Sequence, residues 1–584
     1  MNNLSQKQPI DRVRHSLSHL LAMAVIKKYP KVKLGIGPVI ENGFYYDFGN
    51  AKITSDDLLE FEKTIKNLIK NNLSFKKSVI TLPQAKKIFK NQPYKLELIN
   101  DIKKSKKPIT IYKSGDFIDL CAGPHIKSTA EINPEAFKLI KTAGAYWKGS
   151  EKNPMLTRVY GVAFSSKEEL DNYLKSQEEI EKRDHRILGE KLGIFMIDEH
   201  IGKGLPVYLP NGYFVRRQLE NYIYDLERQD GYLHVLTPNI VKEELYKTSG
   251  HLAHYKDDMY APIEIEGEKY YLKPMNCPEH HFIYKKLVQS YRDLPLKIAE
   301  FGTVYRFERS GVLTGLIRTR GFTQNDAHIY VTPAQLEKEI NGVLDLQKKV
   351  YDDFNITDYW FRLSLPDFKN KKKFGDIKNK KGWQEASNIL KKILQKRNLK
   401  FVEAVGEASF YGPKIDVQIK NVYSKEDTIA TVQVDFYSAS RFGLSYADED
   451  SKIKQPIIIH RAIFGSFERF MAFLLEKTAG KLPLWLSPIQ AVIINIGLNE
   501  EKYAQKIFQE LKNANIRTEL WNKDSVSKRI REAEIKKIPY VLVVGNKEAL
   551  NGTASLRHYK LGQEGEIKIE DLIRKINQEI IKKQ

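Results

Sequence analysis

Residues 300–311 read EFGTVYRFERSG, and residues 316–328 follow as LIRTRGFTQNDAH. Alternation through FGTVYRFE predicts a strand on which Tyr305, Arg306, Phe307 and Glu308 face opposite sides in turn. GFTQNDAHIYV predicts a second strand, reached through a loop. Arg306, Glu308, Arg318 and Arg320 crowd this strand–loop–strand unit. A guanidinium grips phosphate with two parallel hydrogen bonds, so an anionic ligand on one face accounts for the arginines. Ion pairing of Glu308 with one of them accounts for the pattern without a ligand.

Further β-rich segments lie on either side, EKYYLKPMN (268–276), YGPKIDVQIK (411–420) and IATVQVDFY (429–437). They follow one another with few helices between, which predicts a largely antiparallel sheet in a block of about residues 189–485. GSFERF (465–470) closes the block, a small-residue turn ahead of Glu468 and Arg469 on a helix, and ion pairing of Glu468 is again the plain reading. Three scattered residues of the block suit one metal: Cys277 in KPMNCPEH, His328 in QNDAHIY and His460 in IIIHRA. A catalytic zinc keeps three sulfur or imidazole ligands and an open position. Spacing alone leaves them equally readable as structural residues.

Beyond WLSPIQ (485–490) the pattern changes to AVIINIG, a helix AQKIFQELKNA, IRTELW, a helix at SVSKRIREAEIKK, and YVLVVG. This β-α-β-α-β alternation predicts a small α/β domain with a largely parallel sheet, residues 486–584. Ahead of the central block, KEELDNYLKSQEEIEKRDHRIL (167–188) is highly charged with apolar residues at helical spacing, which predicts an exposed linker helix over 166–188. Residues 1–165 mix helix and strand signals. Leu17, Leu20, Leu21 and Val25 mark one helical face, and His15-x3-His19 puts two imidazoles on one side of that helix. KLGIGPVIENGFYYDF and ITIYKSGDFIDLCAGPHI predict short strands and turns, a charged helix falls near 56–71, and Cys121-x3-His125 adds a thiol and a third imidazole. Four such groups suit zinc; a buried polar cluster without chemistry is the other reading. The Lys-rich stretch FKNKKKFGDIKNKKGW (368–383) predicts a solvated loop.

A chain of 584 residues with 42% hydrophobic and 11% aromatic content predicts several packed domains. Its +22 charge, from 95 basic and 73 acidic side chains, suits a polyanionic partner or reflects drift toward lysine. Two isolated cysteines make no disulfide framework and predict a reducing compartment. The first 21 residues carry no signal-peptide pattern, and no apolar run reaches about 18 residues, so a soluble cytoplasmic protein is expected.

Taken in order, the proline in VLTPNI (235–240), the YRFE strand–loop–strand and GSFERF resemble motifs 1, 2 and 3 of class II aminoacyl-tRNA synthetases. KPMNCP, GFTQNDAHI, SFYGPKIDV, TVQVDF and IHRAIFGSFERF are more narrowly similar to threonyl-tRNA synthetases, and RHSLSH, LCAGPH and TAGAYW to the editing domain of their bacterial type. The resemblance runs from about residue 12 onward. It implies an α+β multidomain chain: an α+β editing domain (1–165), the linker helix (166–188), a class II antiparallel-sheet catalytic domain (189–485) and an α/β anticodon-binding domain (486–584).

The resemblance also assigns roles. Cys277, His328 and His460 would hold one zinc per subunit, its open position taking the amino and hydroxyl groups of L-threonine. Gln324, Asp326, Tyr411, Lys414 and Gln433 would line the threonine pocket. Arg306 would hold the α-phosphate of ATP, Arg469 the γ-phosphate end, Glu308, Arg318 and Phe322 the rest of the nucleotide, and Mg²⁺ would bridge the phosphates. His251, in SGHL, matches a residue of the transfer to the tRNA ribose. Serine differs from threonine by one methyl, worth only about 10–200-fold in discrimination, so editing is expected. His15, His19, Lys95, Asp119, Cys121 and His125 would hydrolyse seryl-tRNA by positioning water, without metal. Arg531, Glu548 and Arg557 would read the anticodon. Pro238 lies in the motif that typically forms a homodimer interface. The expected partners are therefore tRNA(Thr), ATP and threonine, with a non-catalytic tRNA- or mRNA-binding relative as the alternative. Departures from the family pattern are Leu252 where tryptophan is usual, Glu279 where glycine is usual, Lys523 where asparagine is frequent, and the absence of the small ubiquitin-like domain ahead of the histidine helix.

Overall fold

The computed structural model describes residues 9–370, 373–374 and 379–583, and these form two units, divided at residue 179. In the first unit, helix α1 (Pro9–Lys28) buries Leu17, Leu20, Leu21 and Val25 completely, as their spacing requires. Its apolar face covers an antiparallel sheet built from Lys33–Leu34, Val39–Ile40, Gly43–Gly49, Met155–Ala163 and Phe137–Tyr146. A separate three-stranded sheet joins Lys76–Ile80, Ile109–Ser114 and strand β1 (Phe117–Leu120). The loop leaving β1 carries Cys121 and His125.

The predicted linker helix is two helices. Lys167–Arg183 buries only Leu170, in keeping with its charge. It stops at Asp184, whose carboxylate accepts from the Arg186 amide at 2.8 Å and starts a second helix, His185–Lys191.

The second unit is organised by an eight-stranded sheet. Its central strands are β2 (Leu296–Tyr305), β3 (Gly321–Val331), β4 (Lys414–Lys420), β5 (Glu426–Asp435) and β6 (Ile457–Ser466), in the spatial order β2-β3-β6-β5-β4, all antiparallel. Parallel pairs occur only at the ends, where Leu233–His234 joins β2 and Phe401–Val405 joins Trp360–Leu365. The antiparallel expectation therefore holds for the body of the sheet. Ala327, Ile329, Val432, Val434, Ile459 and Ile463 bury one face in the main core with helix α2 (Pro210–Gln229). Helix α3 (Cys277–Leu287) begins at the cysteine, and helix α4 (Phe467–Thr478) begins just after β6.

Arg461 lies between His460 and Ala462 on β6 and so points to the opposite face from both. It is 1% exposed, and its Nη2 is 2.7 Å from Oε1 of the fully buried Glu227 at the end of α2, while Asn325 Nδ2 donates to the same oxygen at 2.8 Å. This charge pair ties α2 to the middle of the sheet.

The last domain carries three parallel strands, Thr518–Trp521, Ala491–Asn495 and Tyr540–Val544, with the two predicted helices at Glu501–Asn513 and Val526–Ile535. Two antiparallel strands, Thr553–His558 and Gly562–Lys568, extend it, so the sheet is mixed rather than largely parallel. In the Lys-rich stretch, residues 371–372 and 375–378 lie outside the described residues. The remainder is not simply a solvated loop: a helix runs from Lys380 to Lys396, and Phe374 and Trp383 are buried together. Among the described residues, no helix is long and apolar enough to cross a membrane.

Breaking a buried ion pair strands an unpaired charge and costs about 3–5 kcal/mol. Arg461→Met is therefore expected to lower the stability of this unit by that amount in urea unfolding of the full chain. A loss below about 1 kcal/mol would show that α2 is held by its apolar contacts alone.

Candidate active site

Four neighbouring strands hold one register across the sheet. His328 on β3 pairs with His460 on β6, His460 with Gln433 on β5, and Gln433 with Lys414 on β4. Directly opposed residues point to the same side, so this row lies on the face turned away from the α2 core. Asp326, two residues from His328, shares that face. These side chains line a cavity of about 520 Å³ together with Cys277, Gln324, Tyr411, Arg306, Glu308, Arg318, Phe322 and Arg469.

Cys277, His328 and His460 are buried, and each offers one ligand atom such that all lie within 4.8 Å of one another. Burial, helped by the charges of Asp326 and Glu279, pushes the Cys277 thiol well up. Burial, with His460 and His280 nearby, pushes His328 well down, which favours the neutral imidazole that metals bind. One thiol and two imidazoles on regular elements are a donor set that fits zinc. Behind His460, Asp435 Oδ2 stands 2.9 Å from Nε2. Burial alone would raise Asp435, but His460 and Ser438 outweigh it and hold its pKa below the usual range. Tyr411 stacks on the His460 ring at 4.5 Å between centroids, and its hydroxyl donates to Gln433 Oε1 at 2.8 Å. Asn276 donates to Asp326 Oδ2 at 2.9 Å, and Lys414 to Asp416 Oδ1 at 3.0 Å.

At the other end of the cavity, both readings of the arginine motifs are realised by different residues. Glu308 Oε2 pairs with Arg318 at 2.9 Å, and Glu468 pairs with Arg216 of α2 at 3.4 Å. Arg306 and Arg469 have no carboxylate partner among the described residues. Arg306 donates to Pro274 O at 3.2 Å and lies over the Phe322 ring at 5.0 Å. Arg469 donates to Ile317 O at 3.2 Å and Thr428 O at 3.0 Å, and burial lowers its pKa. Two guanidiniums fixed by carbonyls, with no counter-anion, make an anion site. His251 does not line the cavity; it is buried, with Nδ1 2.7 Å from Ser249 Oγ and Nε2 2.9 Å from Sδ of Met275, which does. Burial and the Arg306 charge push it down to about 3. Glu279 does not enter the cavity; it lines a groove with Leu236, Pro238 and Phe282, where burial raises its pKa to about 8.

The second histidine–cysteine cluster forms in the first unit. Cys121 Sγ lies 3.3 Å from His15 Nε2 and 3.2 Å from His125 Nε2, and His15, His19, Cys121 and His125 also fall within 4.8 Å. Beside them, buried Asp119 meets Lys95 Nζ at 2.5 Å, the Tyr46 hydroxyl at 2.6 Å and His19 Nε2 at 3.7 Å.

Residues 260–478 match the family model described as tRNA synthetase class II core domain (G, H, P, S and T), residues 490–579 the anticodon binding domain, and residues 109–160 the threonyl and alanyl tRNA synthetase second additional domain. The threonine–tRNA ligase of Staphylococcus carnosus is 45% identical over 583 residues, 99% of this chain and 89% of that one. That of Anoxybacillus flavithermus is 46% identical over 563 residues, 95% and 87% of the two chains. The chain belongs to the threonine–tRNA ligase family. Among solved structures, the RNA binding domain of threonyl-tRNA synthetase from Cryptosporidium parvum matches with a TM-score of 0.63 at 37% identity, over 68% of this chain and 98% of that one. The Giardia lamblia prolyl-tRNA synthetase shares the fold, with a TM-score of 0.55 at 17% identity over 70% and 80%.

Of the residues that threonine–tRNA ligase resemblance assigned to the anticodon, Arg531 is exposed on its helix, Arg557 pairs with Glu534 at 3.0 Å, and Glu548 accepts from the Gly545 amide at 2.9 Å. The last two are thus held by their own domain. Sequence reading missed Asp435, although TVQVDF contains it two residues after Gln433 on the same strand face. It also missed Tyr46, Asn276 and His280, which carry no spacing signal.

Gly412 is what lets Tyr411 approach Gln433: a Cβ there would sit 1.6 Å from Val434 O. Gly412→Ala is expected to cost about 1–3 kcal/mol by forcing β5 away, read as a lower melting midpoint. An unchanged midpoint would mean that the loop yields freely.

Proposed function

We propose that this chain activates L-threonine with ATP, transfers the threonyl group to tRNA(Thr), and hydrolyses seryl-tRNA(Thr). The observation that carries the first step is a single cavity that holds the His328–His460–Gln433–Lys414 row at one end and two carbonyl-fixed arginines without counter-anions at the other. A threonine carboxylate oxygen attacks the α-phosphorus, diphosphate leaves, and threonyl-adenylate forms. Arg306 balances the charge that grows on the α-phosphate, and Arg469 holds the departing end. Lys414, Asp326 and Gln433 orient the amino acid, each fixed by the neighbour described above. In the second step a terminal ribose hydroxyl of the tRNA attacks the carbonyl carbon and AMP leaves. His251, neutral at pH 7 and 4.0 Å from Cys277 Sγ, is assigned to that step on the family resemblance.

Cys277, His328 and His460 would hold Zn²⁺, which would supply an open position for threonine's amino and hydroxyl groups, a contact valine lacks. Mg²⁺ would accompany ATP and neutralise its phosphates. The editing reaction is assigned to His15, His19, Cys121 and His125 with Lys95 and Asp119, in which water attacks the ester and serine leaves the tRNA. The reaction is read as one without metal on the family resemblance. The apolar groove around Leu236, 90% exposed, and Phe282 supports a homodimer through the Pro238 segment. Domain limits at 1–165, 166–188, 189–485 and 486–584 go with these assignments, and a cytoplasmic location with the tRNA substrate. Arg531, Glu548 and Arg557 are proposed to face the anticodon.

Threonine-dependent ATP–diphosphate exchange tests the main reading. Activity with threonine, less with serine, none with valine, and loss on zinc chelation are expected; no exchange from folded, zinc-loaded protein would replace it with a purely RNA-binding role. For editing, His15→Ala is expected to slow seryl-tRNA hydrolysis on the order of 10²-fold while exchange is unchanged. Deacylation at the parent rate would remove the cluster from the reaction.

A further inference from the structure

Behind His328 runs a line of side chains that the chemistry above does not use. His328 Nδ1 lies 2.8 Å from His280 Nδ1, and His280 Nε2 lies 3.0 Å from Glu300 Oε2. On its far side, Glu300 Oε1 accepts from the Thr237 amide at 2.8 Å and faces Lys273 Nζ at 3.4 Å. Lys273 Nζ also donates to Thr237 Oγ1 at 2.8 Å. His280 and Lys273 are 0% exposed and Glu300 is 1% exposed, and none of the three lines the cavity.

Two ring nitrogens 2.8 Å apart need one hydrogen between them. Which ring supplies it is settled at the other end of the line. Burial alone would raise Glu300, but His280, Lys273 and the Thr237 amide outweigh it and hold its pKa down, so it stands there as a carboxylate that can only accept. His280 must then carry hydrogen on Nε2. In its neutral form, His280 offers a lone pair at Nδ1, and His328 must donate its own Nδ1–H. What remains on His328 is a bare Nε2, the form a metal can bind. His460 reaches the corresponding state directly, because its Nε2 faces Asp435.

We propose that Glu300, acting through His280, is a positioning residue that fixes which nitrogen of His328 is offered to zinc and so sets the affinity of the site. The proposal rests on the zinc reading of Cys277, His328 and His460.

Glu300→Gln tests it, because the surroundings dictate how the new amide turns. Its oxygen must face the Thr237 amide and Lys273, which leaves its NH₂ facing His280. That donor reverses the line and puts hydrogen on His328 Nε2. Zinc affinity of the folded full-length protein, measured by competition with a chromophoric chelator, is expected to fall about 10–100-fold. Glu300→Asp, which keeps an acceptor, should lose less. The visible spectrum of the Co²⁺-loaded protein should change in Glu300→Gln, a signature that a merely structural role would leave alone. The melting midpoint of the zinc-free variant reports folding separately. If Glu300→Gln does not fold, His280→Ala breaks the same line at its middle and is expected to weaken zinc about tenfold or more. A folded variant of either kind that binds zinc within about twofold of the parent, with the cobalt spectrum unchanged, overturns the relay. A parent protein that takes up no zinc overturns the zinc reading itself, and the relay with it.

Discussion

The backbone ladder that pairs His328 with His460, His460 with Gln433 and Gln433 with Lys414 is the constraint on which the cavity depends. Side chains alternate along a strand, so a slip of one residue in any of these pairings would turn a whole set of polar groups into the core. The register is protected from behind. Ala327, Ile329, Val434, Ile459 and Ile463 bury the opposite face, and Arg461 can lie there only because Glu227 meets it. The apolar face and the buried pair thus hold the polar face in place from behind.

At the arginine end of the cavity the electrostatics separate two kinds of arginine. Arg318 and Arg216 have carboxylates and shape the walls. Arg306 and Arg469 are held by carbonyl oxygens and aromatic rings, which fix their direction without cancelling their charge. A phosphate entering the cavity meets charge that needs no reorganisation, the condition under which such contacts accelerate a reaction.

The two histidine–cysteine clusters use similar residues in opposite electrostatic settings. His460 is backed by Asp435 directly, and His328 by Glu300 through His280. His15, His19, Cys121 and His125 have an acid nearby too, but Asp119 is already taken by Lys95 and Tyr46. Burial together with the charges of His15 and Lys95 lowers His19. In the first setting carboxylates stand behind two of the imidazoles; in the second the acid is already paired.

Local periodicity in the sequence determined the helix carrying His15 and His19, the antiparallel strands of the central block, the β-α-β-α-β start of the last domain, and the order of the arginine motifs. It did so because the burial of apolar faces repeats every 3.6 or 2 residues along the chain. The break at Asp184 escaped it, since one capping carboxylate outweighs a charged pattern that runs on regardless. So did the closing hairpin 553–568, whose strands Thr553–His558 and Gly562–Lys568 are too polar to stand out. Motif phrases singled out Cys277, His328 and His460, yet spacings of 51 and 132 positions between them say nothing of distance. Only the tertiary structure decided that these three meet, that Glu279 lines another groove, and that Tyr46, Asp435, His280 and Glu300 stand behind the two histidine–cysteine clusters. Such contacts join residues remote in the chain, and what brings them together is strand register and close packing, neither of which is written in any local pattern.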